Sequence, residues 1–334
     1  MKAFRLEAPG APVLADIPDV RPGAGETLLR VKLVGFCGTD LNTWRGRNPM
    51  VIFPRVLGHE VAAEVVCGGA DLPVGSSVTI SPYTSCGACP ACANHRPNAC
   101  QRNQTMGVQR DGAMTEYISV PRENIYTGNL GLTELCLVEP LTVGFHAVSR
   151  GRVTAQDTVA VFGCGGVGLG AIAGSAFRGA TTIAIDMDDA KLAIGAKAGA
   201  KHLIHTGRED LHARLQEITS GKGPDVIIEA IGLPSMFRAA VEQVAFTGRV
   251  VYVGYAKEPV SYETRLFVQK ELDILGSRNA LPEDFREVIR MLESGMFPVE
   301  EAVSAVIAME DAGGMLAEWS EAPERFTKII IAVS

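Results

Sequence analysis

Over the first 140 or so residues, apolar positions come in short runs separated by glycine and proline. Leu28–Val34, Val61–Cys67, Ser77–Ile80 and Thr115–Val120 read as strands of this kind, and the pattern predicts a compact, β-rich, partly barrel-like domain. From about Asp157 the rhythm changes. Apolar runs at Thr158–Phe162, Thr182–Ile185, His202–Ile204, Asp225–Glu229, Arg249–Val253 and Asp273–Gly276 alternate with other segments. Those between them, Val167–Phe177, Asp189–Ala198, Leu211–Ile218 and Ser235–Val244, have a helical period. Such alternation predicts an α/β domain with a doubly wound parallel sheet covered on both faces. Beyond Arg278 another helix, Glu283–Ser294, leads on to a last strand, Thr327–Val333. An apolar strand needs a sheet to join, so this tail is expected to return to the first domain. The boundaries implied are 1–145, 146–280 and 281–334.

The composition fits this picture. At 334 residues the chain is too long for one ordinary core, and two domains are the natural expectation. Its 47% hydrophobic fraction is that of a globular protein, and no apolar run approaches the roughly 20 residues that span a bilayer. The 36 glycines are scattered, with no internal period or low-complexity tract. The formal charge of −7 argues against nucleic acid as a partner, because neutralising phosphates takes concentrated Lys and Arg. Met1-Lys2-Ala3-Phe4 leads into a strand without the features of a signal peptide, so a cytoplasmic enzyme is expected.

Gly163-Cys164-Gly165-Gly166-Val167-Gly168 is a G-x-G-x-x-G that follows the strand Thr158–Phe162 and opens a helix. Asp186 ends the next strand, eighteen residues beyond Gly168. This is the context a dinucleotide fingerprint requires; outside it the same letters are merely a glycine-rich turn. The first glycine makes the turn, the second lets the backbone approach the pyrophosphate, and the third lets helix pack on strand. Asp186 is placed to accept from the adenosine ribose hydroxyls. It would repel a 2′-phosphate by roughly 1 kcal/mol per charge pair at 4 Å in water and about 4 near a protein surface, which favours NAD over NADP.

Of eight cysteines, Cys86, Cys89, Cys92 and Cys100 fall within fifteen residues. In a reducing compartment clustered thiols hold metal more often than they pair as disulfides. Two-residue gaps let successive sulfurs converge on one tetrahedral ion, and four thiolates leave no open position, so a structural zinc is expected. In zinc-finger peptides such a site contributes roughly 10–16 kcal/mol to folding. A second, mixed set is scattered: Cys37 in Gly35-Phe36-Cys37-Gly38-Thr39-Asp40, His59 and Glu60 after Gly58, and Glu139 before Pro140. One thiolate, one imidazole and one or two carboxylates form the kind of set a catalytic zinc uses. Taken singly, a cysteine is more often a small core residue and a histidine a satisfied polar group. Spacing alone does not connect them.

A resemblance does. These five motifs, with Glu139-Pro140-Leu141-Thr142-Val143-Gly144 as the fourth in chain order, occur in the order and at the distances of the zinc-dependent medium-chain dehydrogenases. The chain resembles their sorbitol, threonine and sugar-acid dehydrogenase branch over essentially its whole length. The resemblance implies a GroES-like catalytic domain, a Rossmann domain with a cleft between them, two zinc ions per chain, NAD, and a homodimer or homotetramer. By position, Cys37, His59, Glu60 and Glu139 resemble the catalytic zinc ligands, with either glutamate expected as the resting one. Asp40 resembles the carboxylate that orients the histidine ligand. Thr39 is placed to take the substrate proton. Many relatives carry a histidine where this chain has Asn42, so the relay beyond Thr39 is open.

Other candidates have two readings each. His146, seven residues after Glu139 on a helix, either faces the site or simply packs. Arg278 and Asn279, just past the strand Asp273–Gly276, line the cleft or sit on the surface. Trp44 is a substrate contact or a lid or packing residue. Cys67, Cys136 and Cys164 read as apolar filler. The expected activity is NAD-dependent oxidation of a secondary alcohol in a polyol, sugar or sugar acid. Alternatives are a threonine-type amino-alcohol dehydrogenase, a zinc-free reductase of the same superfamily, and a non-catalytic NAD-binding protein.

Overall fold

Strand β1 (Lys2–Ala8) folds back on β2 (Ala11–Asp16) and also pairs with the short β4 (Arg55–Val56). The eleven-residue β3 (Glu26–Phe36) is the spine of a second sheet. Helix α1 (Gly38–Trp44) follows it directly, and then come β5 (Glu60–Cys67) and β6 (Ser77–Ile80). A cysteine-bearing loop carries one helical turn, α2 (Pro90–Ala93). The chain returns through β7 (Tyr117–Pro121) and β8 (Ile125–Tyr126) into the long helix α3 (Leu132–Arg150). In this computed structural model, residues 1–69 and 71–333 are described.

Next, β9 (Thr158–Phe162), α4 (Gly166–Phe177), β10 (Thr181–Asp186), α5 (Asp189–Lys197) and β11 (His202–His205) alternate. The alternation continues through α6 (Leu211–Ile218), β12 (Val226–Glu229), α7 (Pro234–Gln243), β13 (Arg249–Tyr252), α8 (Arg265–Gln269) and β14 (Asp273–Gly276). The chain closes with α9 (Pro282–Glu293), α10 (Val299–Ala302), β15 (Ala305–Ala308), α11 (Ala312–Glu321) and β16 (Ile329–Ala332).

Two units result, 1–139 with 281–293 and 299–334, and 140–280 with 294–298. In the first, the sheet runs β15-β16-β3-β5-β6-β8, with β7 also on β3. The carboxyl-terminal strand thus joins the amino-terminal sheet, with Ile329 opposite Phe36 and Ile331 opposite Val34. A buried cluster including Leu29, Val31, Phe36, Val61, Leu316 and Ile331 fills this unit. In the second, the order β11-β10-β9-β12-β13-β14 is parallel throughout. Its central strands are buried on both faces, which is why β9 and β12 read as continuous apolar runs. Asp188 and Asp210 cap α5 and α6 by accepting from Lys191 N and Ala213 N at 3.0 and 2.7 Å. The order reverses between β9 and β12, and the carboxyl ends of strands at such a reversal are where this architecture receives dinucleotides.

Candidate functional site

The first unit gathers a mixed set of donors, buried except for the half-buried Cys37. Cys37 caps α1 at the end of β3, and the Asp40 carboxylate accepts from Cys37 N at 2.9 Å and Gly58 N at 3.4 Å. Asp40 therefore ties the backbone beside Cys37 to the backbone beside His59. The resemblance implies a bond to the histidine ring; the Asp40 carboxylate instead accepts from these two backbone groups, and the buried His59 Nδ1 has no hydrogen-bond partner. Burial pushes the Asp40 carboxyl up, with the nearby His59 opposing. Glu60 begins β5 opposite Gly35 on β3, where a side chain on Gly35 would stand 2.0 Å from Glu60 Oε2. Ligand atoms of Cys37, His59 and Glu60 lie within 4.8 Å of one another. Glu139 on α3 is buried and close enough to act on the charges of His59 and Glu60, while its Oε1 accepts from the Tyr83 hydroxyl. Thr39 Oγ1 stands 3.7 Å from Cys37 Sγ.

The electrostatics of this set suit a cation. Burial disfavours a charged His59, yet the Cys37 partner, Asp40 and Glu139 hold its proton affinity well above the ordinary value. Burial raises Glu60, and the Lys328 ammonium bonded to it pulls it back. A thiolate, an orphaned imidazole nitrogen and two carboxylates in one buried place are what a divalent metal satisfies.

In the loop between β6 and β7, Sγ atoms of Cys86, Cys89, Cys92 and Cys100 also lie within 4.8 Å of one another. Cys89 Sγ is 3.6 Å from Cys92 Sγ and 3.8 Å from Cys100 Sγ. Four sulfurs each about 2.3 Å from a tetrahedral zinc stand about 3.8 Å apart, so the lobe fits the ion. Backbone N–H groups of Cys92 and Gln101 draw the Cys89 thiol down to about 6, and burial lifts Cys92 to about 11. All eight cysteines are unpaired as disulfides.

Within the second unit, Gly163 has φ +96° and Gly165 caps α4. A side chain at Gly168 would stand 1.8 Å from Gly163 O, whereas nothing lies within 4 Å of the positions a side chain would occupy at Gly165 and Gly166. The third glycine is thus required by packing, and the middle pair, with Val167 after them, leaves room at the helix amino terminus. Asp186 accepts from Cys164 N at 2.7 Å, Met187 N at 2.7 Å and Asp188 N at 3.2 Å, which fixes it beside that turn.

Residues 23–129 match the family model for the alcohol dehydrogenase GroES-like domain, and residues 166–294 that for zinc-binding dehydrogenase. The chain is 37% identical to L-galactonate-5-dehydrogenase of Escherichia coli (strain K12) over 278 residues, 82% of each protein. It belongs to the zinc-dependent medium-chain dehydrogenase family. Sorbitol dehydrogenase of Bacillus subtilis (strain 168) is 32% identical over 308 residues, 88% of this chain and 86% of that one. The crystal structure of a short chain alcohol dehydrogenase from E. coli CFT073 complexed with NADH superimposes with TM-score 0.91 at 28% identity, covering 99% of both chains. As a zinc-dependent medium-chain dehydrogenase the chain is an oxidoreductase that uses a nicotinamide cofactor, zinc and a small-molecule substrate. None of the helices of the described residues is long and apolar enough to cross a membrane.

Two residues of this dehydrogenase's mixed site escaped the motifs: Tyr83, three residues before the cysteine lobe, and Lys328, the charged residue opening an otherwise apolar strand. Lys328 Nζ donates to Glu60 at 2.7 and 2.6 Å and to Phe36 O at 3.1 Å. Trp44 is half-buried and packs against the core of the first unit. Asn42 is half-buried on α1. His146, on α3, is buried; Arg278 is exposed and Asn279 half-buried with φ +53°. Cys136 and Cys164 are buried, as expected of filler, but Cys67 is exposed because β5 ends there.

Proposed function

We propose that this dehydrogenase oxidises a secondary alcohol of a polyol, sugar or sugar acid with NAD, using one zinc at Cys37, His59 and a glutamate and a second, structural zinc on the four cysteines. The observation that carries the reading is the mixed set itself: a thiolate and an imidazole beside two buried carboxylates, Glu60 and Glu139, rather than beside a second thiolate. Zinc held there supplies Lewis acidity to the substrate oxygen. The Thr39 hydroxyl, beside Cys37, is the first group to receive the substrate proton. Asn42 does not ionise at neutral pH, so water or ribose hydroxyls carry that proton onward. The fingerprint at Gly163–Gly168 and the amino terminus of α4 receive the pyrophosphate, and Asp186 the ribose. Support for the substrate class comes from the relatives named for L-galactonate and sorbitol. The exposed edge of β14, with Ile274 partly uncovered, is consistent with a homo-oligomer.

Kinetics with NAD on a hexitol, its aldonate, L-threonine and propan-2-ol test the proposal. A site that pairs hydroxyls rejects analogues lacking them by up to about 10⁴–10⁵. The hexitol or aldonate should lead by at least about a hundredfold in kcat/KM. Propan-2-ol or threonine in first place refutes the polyhydroxy substrate. Arg278→Ala should slow the aldonate more than the hexitol if its guanidinium grips the carboxylate; equal losses remove it from that role.

A further inference from the structure

The carboxylates of the mixed site are held by partners that are not metal ligands. Glu139 has the Tyr83 hydroxyl. Glu60, only 1% exposed, has Lys328, 7% exposed, whose ammonium reaches both of its oxygens and the carbonyl of Phe36, the residue before Cys37. An ammonium has three donors, and all three are used. The missing side chain at Gly35 makes the space in which the Glu60 carboxylate lies. The charges point the same way. Cys37 and the buried carboxylates of Asp40, Glu60 and Glu139 crowd negative charge into one place, and the Lys328 ammonium lies directly on one of them. Removing it would leave Glu60 buried without its positive partner, which is unfavourable.

From this we infer that Lys328 is a positioning residue of the metal site: it holds Glu60 by both oxygens and competes with the metal for it, so that Glu60 is a restrained ligand that yields its coordination position to substrate. This deepens the zinc reading and rests on it. Removing the ammonium should let Glu60 close on the ion. The ion should then be held more tightly while turnover falls, because a cation beside a cation weakens its binding. A lysine that served only as structural filler predicts the reverse for the metal, namely looser binding.

The test uses zinc-loaded wild type, K328M and K328R, with C37S to identify which phase of zinc release to a chromophoric chelator belongs to the mixed site. Cobalt-substituted samples report the ligand field through their d–d absorption. For K328M we expect mixed-site release about fivefold slower or more, an altered cobalt spectrum, and kcat on the best substrate of the panel lowered about 10–100-fold, the usual range for partners of metal ligands. K328R, which keeps the charge, should restore release and spectrum to within a few-fold of wild type. Wild-type release and spectrum in K328M overturn the proposal, as does faster release with a lowered melting temperature. If K328M does not fold, K328Q, which keeps a donor for Phe36 O, carries the same comparison. If wild-type enzyme shows no release phase that C37S lacks, the zinc reading has failed and takes this proposal with it; a normal phase unmoved by K328M removes Lys328 alone.

Discussion

At the scale of single residues, charge decides more than shape. Asp186 is held by three backbone N–H groups, so it cannot swing away from a cofactor without leaving them unpaired. A 2′-phosphate placed there meets a fixed carboxylate. We expect wild-type kcat/KM to favour NAD over NADP, and Asp186→Ser to narrow the ratio by about fivefold or more, as removing one charge–charge repulsion of about 1–4 kcal/mol implies. Measuring both cofactors in both proteins checks this; a wild type faster with NADP disproves it. Asp186 was legible because it ends the strand that follows the fingerprint, whereas Cys37, His59, Glu60 and Glu139 were connected only through the family resemblance. Lys328 was legible in neither way. It lies 268 residues from Glu60, and nothing in Phe326-Thr327-Lys328-Ile329 signals which partner a lysine will find once β16 docks on β3. Tyr83 was hidden for the same reason, its partner Glu139 being 56 residues away.

Among elements, those with internal periodicity or an internal ligand set read most directly. The central strands of the second unit, β9 and β12, are buried on both faces and gave unbroken apolar runs, whereas α1 has seven residues and owes its start to the backbone of Cys37 bonded by Asp40. The β1–β2 hairpin was only half visible, since most of the side chains of Ala11–Asp16 are exposed and lack the apolar alternation of a core strand. The cysteine lobe is a different case. Its α2 is one turn with no buried residue, so the four sulfurs, not a core, must order it. Metal analysis should return two zinc ions per wild-type chain and one for Cys100→Ser. Because Cys100 is fully buried and accepts from Cys86 N and Arg102 N, its loss should lower the melting temperature and open the lobe to protease. Two zinc ions retained by Cys100→Ser would contradict the structural site.

For the molecule as a whole, the carboxyl-terminal return links stability of the first unit to its chemistry. β16 is buried on both faces: Ile329 and Ile331 enter the main core of that unit, while Ile330 packs with Ala62, Leu135 and Cys136. Side chains alternate along a strand, so Lys328 lies on the same face as Ile330, toward Glu60. The second unit has its own apolar cluster around Ile185, Ile204 and Ile227. A chain with two cores need not unfold in one step. Ile330→Ala removes a fully buried side chain and should destabilise the first unit by about 2–5 kcal/mol. Release of mixed-site zinc on heating should then begin at a lower temperature, because β16 pairs with the end of β3, from which Cys37 projects. NADH binding, followed by the cofactor's own fluorescence, should persist to nearly the wild-type temperature, since Asp186 and the fingerprint belong to the second unit. Calorimetry run beside zinc-release and NADH-binding melts tests this. One transition moved as a block, with zinc and NADH lost together, would show that the two cores unfold as a single cooperative unit and that the strand's effect is not confined to the first.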